Sequence, residues 1–478
     1  MTRLSHKESS SDKDQMVDRQ DNATERASQS ALYSKGFWSP DLKPLRATYF
    51  KILSGSVVLT IIAIWSCLQV YWASIAHESG RLFQVNSVFV NRDITNGLNG
   101  TLGDTLRTTI FQSLNEKHHL GWTEEPSEKV PTAESIEEAL VEDEWAWVFV
   151  VAEQDATQNL ITARENGDSS YDPMSSVSIY YAEARNEQAA GIVLPTTQKL
   201  VQQATIQAGT QMLAAYMSQQ GGNVTAMEAL TNAPQTAATP FATTINNFRP
   251  FDQPVARAIT LVGLIYLTIL SFICTMAHSA ARPLLEKHLT LRSYIGMRLL
   301  VPLFLYTILS LFFAMLNLPW DVHFNAHFSN TAKGFFCTYA LLLCGMAALG
   351  MCFETLAHPL LISPTGLATE AIITVIGPQF MAYALIALII SNVSVAALPV
   401  DLQVWFFRYY PAMVYYHINR GIRCIIFNTK NELGFNFGVC LAWVVFSIGT
   451  ISAFTALYRR LDIKKAQKES ETQGENKA

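Results

Sequence analysis

Six stretches of about twenty residues contain no Asp, Glu, Lys, Arg or His: Ile52–Tyr71, Ala258–Ala277, Leu299–Leu318, Gly334–Phe353, Ala371–Ile390 and Leu433–Leu457. An uncharged helix of that length spans the roughly 30 Å hydrocarbon core of a bilayer. Core helices of soluble enzymes are usually shorter and interrupted by charge. Six together predict an α-helical polytopic membrane protein. The first 47 residues are polar, so the first run starts too late for a cleaved signal peptide and is expected to stay as an anchor. That tail has too little apolar content to fold alone.

Between the first two runs the pattern changes. Short apolar stretches at Leu82–Val90, Trp145–Ala152 and Val177–Ala182 predict strands. "WAWVFVV" is apolar at every position, which predicts a central strand covered on both faces. Helical patterns intervene at Leu102–Glu116, Ser135–Glu144 and Ala156–Asn166. Pro195 suits the first turn of a further helix reaching about Gln219. Residues 74–255 therefore predict an inserted extracytoplasmic α/β domain. The full scheme is a disordered tail (1–47), a first span (48–73), the α/β domain (74–255), spans two to six (256–458) and a basic tail (459–478).

Charge sets the orientation. Fourteen Lys and Arg flank the spans on one side, including Arg46, Arg282, Arg298 and Arg459; five flank them on the other. The positive-inside rule then places both termini in the cytoplasm. The α/β segment carries 22 acidic and 9 basic residues, which does not oppose its export, since long segments translocate regardless of charge. None of the seven cysteines lies in it, so no disulfide framework or cysteine zinc site is expected there. Its sequons at Asn99 and Asn223 are glycosylation candidates.

"WFFRYYPAMVYYHINRGIRCIIF", 405–427, is too apolar for a loop and too rich in arginine for a span. With Pro411 as a first helical residue, Val414, Tyr415, Ile418, Ile422, Ile425 and Ile426 share one arc. Tyr416, His417, Asn419, Arg420 and Arg423 share the other. Inserting the arginines would cost about 3 kcal/mol each. An outer amphipathic helix at about 411–427 lying in the interface costs little and puts Arg408, Arg420 and Arg423 at headgroup level. Packing against the α/β domain is the alternative.

Chemistry within the runs is sparse. There is no G-x-x-x-x-G-K-[ST], H-E-x-x-H or G-x-S-x-G, so no enzymatic activity and no cofactor are expected. His323 and His327, with Asp321, have helical metal-ligand spacing but sit beside an interface, where polar ends are common, and no metal is expected. The runs hold no carboxylate; Glu354 and Glu370 stand at their ends, which argues against proton antiport. Ala340, Cys344, Ala348 and Cys352 form a small-residue stripe, and Gly434 with Gly438 forms a G-x-x-x-G; both predict close helix packing. Gly377-Pro378 marks a possible break in the fifth run, along a substrate path.

Several segments, in this order, resemble a fungal family related to the nitrosoguanidine-resistance protein. They are "YWASIAHESGRLFQVNSVFVNRD", "EALVEDEWAWVFVV", "YDP" then "EARN", "PVARAITLVGLIYLTILSF" and "PVDLQVWFFRYYPAMVYYHINRGIRCIIFNTKNELGFNFGV". The resemblance covers most of the chain beyond the tail. It implies an ABC-2-type permease-like protein with a large outer insertion and short outer helices between spans five and six. The expected function is export or redistribution of drugs or lipids, as in multidrug or mutagen resistance, in the plasma membrane or an internal one. Expected partners are the lipid bilayer and a separate ATPase or further copies of the chain; nothing points to nucleic acid. A non-transporting scaffold that binds a partner through its outer domain is the rival.

Overall fold

The computed structural model describes residues 36–76, 78–95, 97–286, 288–356 and 370–475, with side chains outside the description at 370–380 and in the last dozen residues. The chain divides into two compact units, Met1–Ile62 and Ala63–Ala478. In the first, Phe37 packs edge-on against Trp38, Tyr49 and Phe50, and Arg46 lies 4.9 Å from the Trp38 ring centre. Helix α1 (Lys43–Ala63) begins here.

Among the described residues, five helical stretches are long and apolar enough to cross a membrane: Pro40–Ile75, Ala258–Ala281, Leu291–Trp320, Thr331–Leu356 and Leu433–Lys464. They coincide with five of the six uncharged runs and mark an integral membrane protein. The remaining run, Ala371–Ile390, lies in a helix of 27 residues whose described side chains start at Met381.

The segment between the first two of these helices contains a five-stranded sheet. Its strands are β1 (Asn86–Asn91), β2 (Gly121–Glu125), β3 (Val148–Ala152), β4 (Val177–Tyr181) and β5 (Thr243–Asn247). Spatial order is β2-β1-β3-β4-β5, all parallel pairs except β3 with β4. β3 is central and fully buried, as "WAWVFVV" predicts. β2 ("GWTEE") and β5 ("TTINN") lie at the two edges, where one-sided burial leaves a polar composition that gave no apolar signal.

Helices cover both faces. On one, α2 (Thr101–Gln112), α3 (Ala156–Asn166) and α4 (Glu187–Gln220) place Leu106, Leu160 and Val201 against Phe89, Val150 and Ile179. On the other, Ile136 and Leu140 pack on Val88, Val90 and Phe149. Helix α4 starts eight residues before Pro195 rather than at it. The Asn186 side chain accepts a hydrogen bond from Ala189 N–H at 3.0 Å, capping the helix.

The bundle is built on α7 (Thr331–Leu356), packed by α5 (Gly263–Ala281), α6 (Leu291–Met315), α9 (Val414–Phe427) and α10 (Leu433–Glu475), with α8 (Glu370–Ala396) beside α9. A π-turn, Ala258–Val262, leads into α5. The tightest approach is between α7 and α9. A Cβ at Gly345 would run into Ile418, and one at Gly421 into Leu341. Each helix thus offers a glycine hole to the other's aliphatic side chain, which seats α9 deep in the bundle.

Candidate functional site

Twelve of the fourteen residues of α9 are buried. Its apolar arc faces the bundle, where Tyr415 Oη lies 2.5 Å from Thr268 Oγ1 on α5. Its polar arc faces protein as well. Arg423 Nη2 donates to Glu187 at 2.6 Å, Nη1 to the Ala184 carbonyl at 2.9 Å and Nε to Asn419 Oδ1 at 2.7 Å. Arg420 Nη2 bridges Glu144 at 2.9 Å and Glu432 at 3.0 Å. His417 is held between Asn436 Oδ1 and the Pro411 carbonyl, and Asn419 donates to the Ala396 carbonyl. The amphipathicity read from the sequence is real, but the polar arc meets the sheet-bearing segment instead of headgroups. Desolvation costs less when carboxylates replace water around a guanidinium.

Arg408 sits elsewhere. It is exposed on a 3-10 segment, Trp405–Ala412, that precedes α9 and contains Pro411. Trp405 and Phe406 beside it are 76% and 54% exposed. The three form a shelf of the composition found at membrane interfaces.

Between α9, the sheet-bearing segment and the stretch that leads from α8 to Tyr410 lies a polar cleft of about 300 Å³. Glu144, Trp147, Arg185, Asp401, Tyr416 and Arg420 line it. Arg185 stacks 3.8 Å over the Trp147 ring and donates to the carbonyls of Ala146 and Glu144 at 2.6 and 3.1 Å. Trp147 Nε1–H donates to Asp401 at 3.0 Å. Burial pulls the Arg185 pKa down against Glu144 and Asp401, and the Arg423 pKa down against Glu187. At Arg420 burial acts the same way, but Glu144 and Glu432 outweigh it and the pKa is raised. Burial pushes the Tyr416 hydroxyl up to about 12, with Arg420 opposing. The cleft is thus a paired field of fixed charges with an aromatic wall, suited to a polar group that brings its own charges.

The other expected positions scatter. The α8 backbone runs through Gly377 and Pro378, whose side chains lie outside the described residues. On α7, Ala348 is buried while Ala340, Cys344 and Cys352 are half-buried. Gly434 and Gly438 on α10 have open space where a Cβ would go. Asn99 and Asn223 are exposed. His323 and His327 lie in a loop, not on a helix, so their spacing does not put them on one face; His327 Nδ1 pairs with Asn428 Oδ1 at 2.8 Å. The residues that sequence missed are the carboxylates, Glu144, Glu187 and Asp401. The acidic excess of 74–255 hinted at the first two, and nothing in the sequence pointed to Asp401.

The ligand crevice usual for such a sheet is closed. The connections after β1 and β3 run toward opposite edges of the sheet with α2 and α3 on one face, and such a switch point is where open α/β sheets bind ligands at helix N-termini. Asp93, fully buried, fills it. Its Oδ1 accepts from Thr157 N–H at 2.9 Å, and its Oδ2 from Thr157 Oγ1 at 2.6 Å and Gly103 N–H at 3.1 Å. The chain's own carboxylate occupies the N-termini of both α2 and α3.

Residues 56–449 match the model of a family described as "Protein of unknown function (DUF3533)". The chain belongs to this family. The match runs from the first candidate span through most of the last, so the sheet, the cleft and α9 all lie inside it. No solved structure matches the chain.

Proposed function

We propose that this membrane protein redistributes amphiphiles, drugs or lipids, in the manner of an ABC-2-type permease. In this reading α8 is a sixth span, both termini are cytoplasmic, and the sheet-bearing segment is an inserted domain outside the membrane. The membrane is the plasma membrane or an internal one. The chain itself has no catalytic role and works with a separate ATPase, a gradient or further copies of itself.

The observation that carries the proposal is that one 3-10 segment, Trp405–Ala412, contributes Tyr410 to the polar cleft and exposes Trp405, Phe406 and Arg408. An amphiphile needs both at once: a polar recess for its headgroup and an adjoining apolar surface for its tail. Arg408 then meets headgroups, whereas Arg420 and Arg423 shape the recess through their carboxylate partners. The test uses full-length protein in liposomes with a fluorescent lipid quenchable from one side, with and without nucleotide and candidate ATPases. Wild-type protein should accelerate lipid movement, and Val400→Trp, which fills the cleft mouth, should slow it about tenfold at unchanged folding, a loss of about 1.4 kcal/mol. No movement by wild type under any of these conditions would refute it.

One observation favours the rival scaffold. Edge strand β5 borders a groove of about 350 Å³ between itself and α4, and Ile206 and Ile245 are exposed there. An exposed strand edge beside apolar pockets is how extended peptides are captured. A scaffold would lose its function on Ile206→Asp with the cleft intact; a permease would not.

A further inference from the structure

The uncharged runs end in a charged node. Helix α7 continues past its apolar run to Glu354, whose side chain is fully buried, as is Arg298 on α6. Arg282, just beyond α5, is 4% exposed. Arg282 Nη1 and Arg298 Nε both donate to the same carboxylate oxygen, Glu354 Oε1, at 2.5 and 2.7 Å. Arg298 places its other donors on the Glu354 carbonyl at 3.0 Å and on Thr455 Oγ1 of α10 at 2.8 Å. Three helices thus meet on one carboxylate, and α10 joins them through Arg298.

Two buried atoms of this node have no partner among the described residues: Glu354 Oε2 and His278 Nε2. His278 is one turn above Arg282 on the same face of α5. A buried polar atom left unpaired costs about 1–3 kcal/mol. Ionisable groups inside membrane-spanning helices mark ion and proton paths. The same face of α5 stays polar above the node, through Thr275, Ser271 and Thr268, all buried. Thr275 Oγ1 lies 3.0 Å from Tyr306 Oη, and Thr268 meets Tyr415 on α9. A polar stripe therefore joins the node to the helix that seats the cleft.

We propose that His278 and Glu354 form a proton-binding site. In the neutral ring with its hydrogen on Nδ1, the Nε2 lone pair takes a proton from solution and leaves water; no bond in the protein breaks. His278 and Glu354 make neither a hydrogen bond nor an ion pair in the structure; the imidazolium N–H supplies a donor that the unpaired Oε2 draws in. The charged groups facing His278 among the described residues are Arg282 at its own helix end, Arg298 from α6 and Glu354 from α7. A third cation then competes for one carboxylate. Arg298 is fixed by its bonds to the Glu354 carbonyl and Thr455. Among the described residues the Arg282 side chain has only Glu354 and a 3.5 Å contact to Ser279, so it is the group that yields. Proton uptake thereby releases the contact between the ends of α5 and α7. The absence of a carboxylate from the uncharged runs argued against proton coupling; Glu354, one residue past its run, supplies one. That this release drives amphiphile movement rests on the function proposed above; the site itself does not.

The test is hydrogen exchange on full-length protein in lipid nanodiscs at about pH 7.5 and 5.5, either side of the free-histidine value of about 6.5, corrected for intrinsic exchange. Wild-type protection over 275–286 and 350–356 should fall about fivefold at the lower pH, since the tenfold limit for one unit of pKa difference between states is reached only below both values. His278→Gln, which cannot take the proton, should show equal protection at both. A wild type without pH response, or a variant that keeps it, overturns the site; the first outcome needs no variant to fold. In liposomes, an imposed pH gradient separates the two proposals. Exchange that responds without lipid movement removes the permease function and leaves the site. Lipid movement indifferent to pH, with flat exchange, does the reverse.

Discussion

Arg423 is the residue on which the headgroup and clamp placements of α9 differ most, and Arg423→Met measures the difference. Its guanidinium makes three short bonds, to Glu187, the Ala184 carbonyl and Asn419, and only 6% of the side chain is exposed. Methionine keeps much of the volume and removes all three. Glu187 is left 13% exposed and without its cation. Breaking a buried pair from one side costs about 3–5 kcal/mol. Because Glu187 retains some access to water, we take about 2–4 kcal/mol. At 1.36 kcal/mol per factor of ten, that is about 30-fold to 1,000-fold less protection in hydrogen exchange for α9 and the start of α4, if opening is local. Arg408→Met, on the exposed shelf, should change protection by less than about threefold, an ordinary surface effect of about 0.5 kcal/mol. The double variant Arg423→Met with Glu187→Gln removes the stranded charge and should recover about 1 kcal/mol or more. Equal effects at 408 and 423, or a double variant no better than Arg423→Met alone, would refute the clamp. Either result would return α9 to the lipid surface.

Other expectations follow from single observations. Gly345→Leu drives a side chain into Ile418 and should cost about 1–3 kcal/mol or unseat α9, seen as a lowered unfolding temperature in detergent; Gly434→Leu, where space is open, should not. Asp93→Ala strips the cap from α2 and α3 together and leaves buried amides unpaired, so about 2–4 kcal/mol should be lost and protease sensitivity should appear in 91–166; Asp104→Ala, exposed on α2, serves as the comparison. Expressed in a glycosylating cell, the protein should carry endoglycosidase-sensitive sugar that disappears in Asn99→Gln with Asn223→Gln, while a tag after Ala478 stays protected from external protease. Sugar on neither site with an accessible tag would invert the proposed orientation.

Much of the architecture was legible in the sequence because it is written in local, repeating patterns. An uncharged run twenty residues long has one stable environment, so five candidate spans were readable without any partner in view. The central strand was readable because burial on both faces leaves it apolar at every position. The periodicity of α9 was equally plain. Edge strands β2 and β5 were not, because a strand half in solvent need not be apolar. Nor was the start of α4, where Asn186 caps the helix and Pro195 is accommodated inside it. The role of the polar arc of α9 was undecidable from 405–427. An arginine on a helix face satisfies water, phosphate or carboxylate alike, and Glu144 and Glu187, two of the carboxylates that pair with this arc, lie more than 200 residues away. The same holds at the opposite end of the bundle, where Arg282, Arg298 and Glu354 each looked like a flanking charge and only packing gathered them onto one carboxylate oxygen. Sequence determined which segments leave water, since that depends on composition within one helix. Tertiary structure alone decided which charges leave water with them, since a buried charge is stable only beside a partner that the fold brings to it.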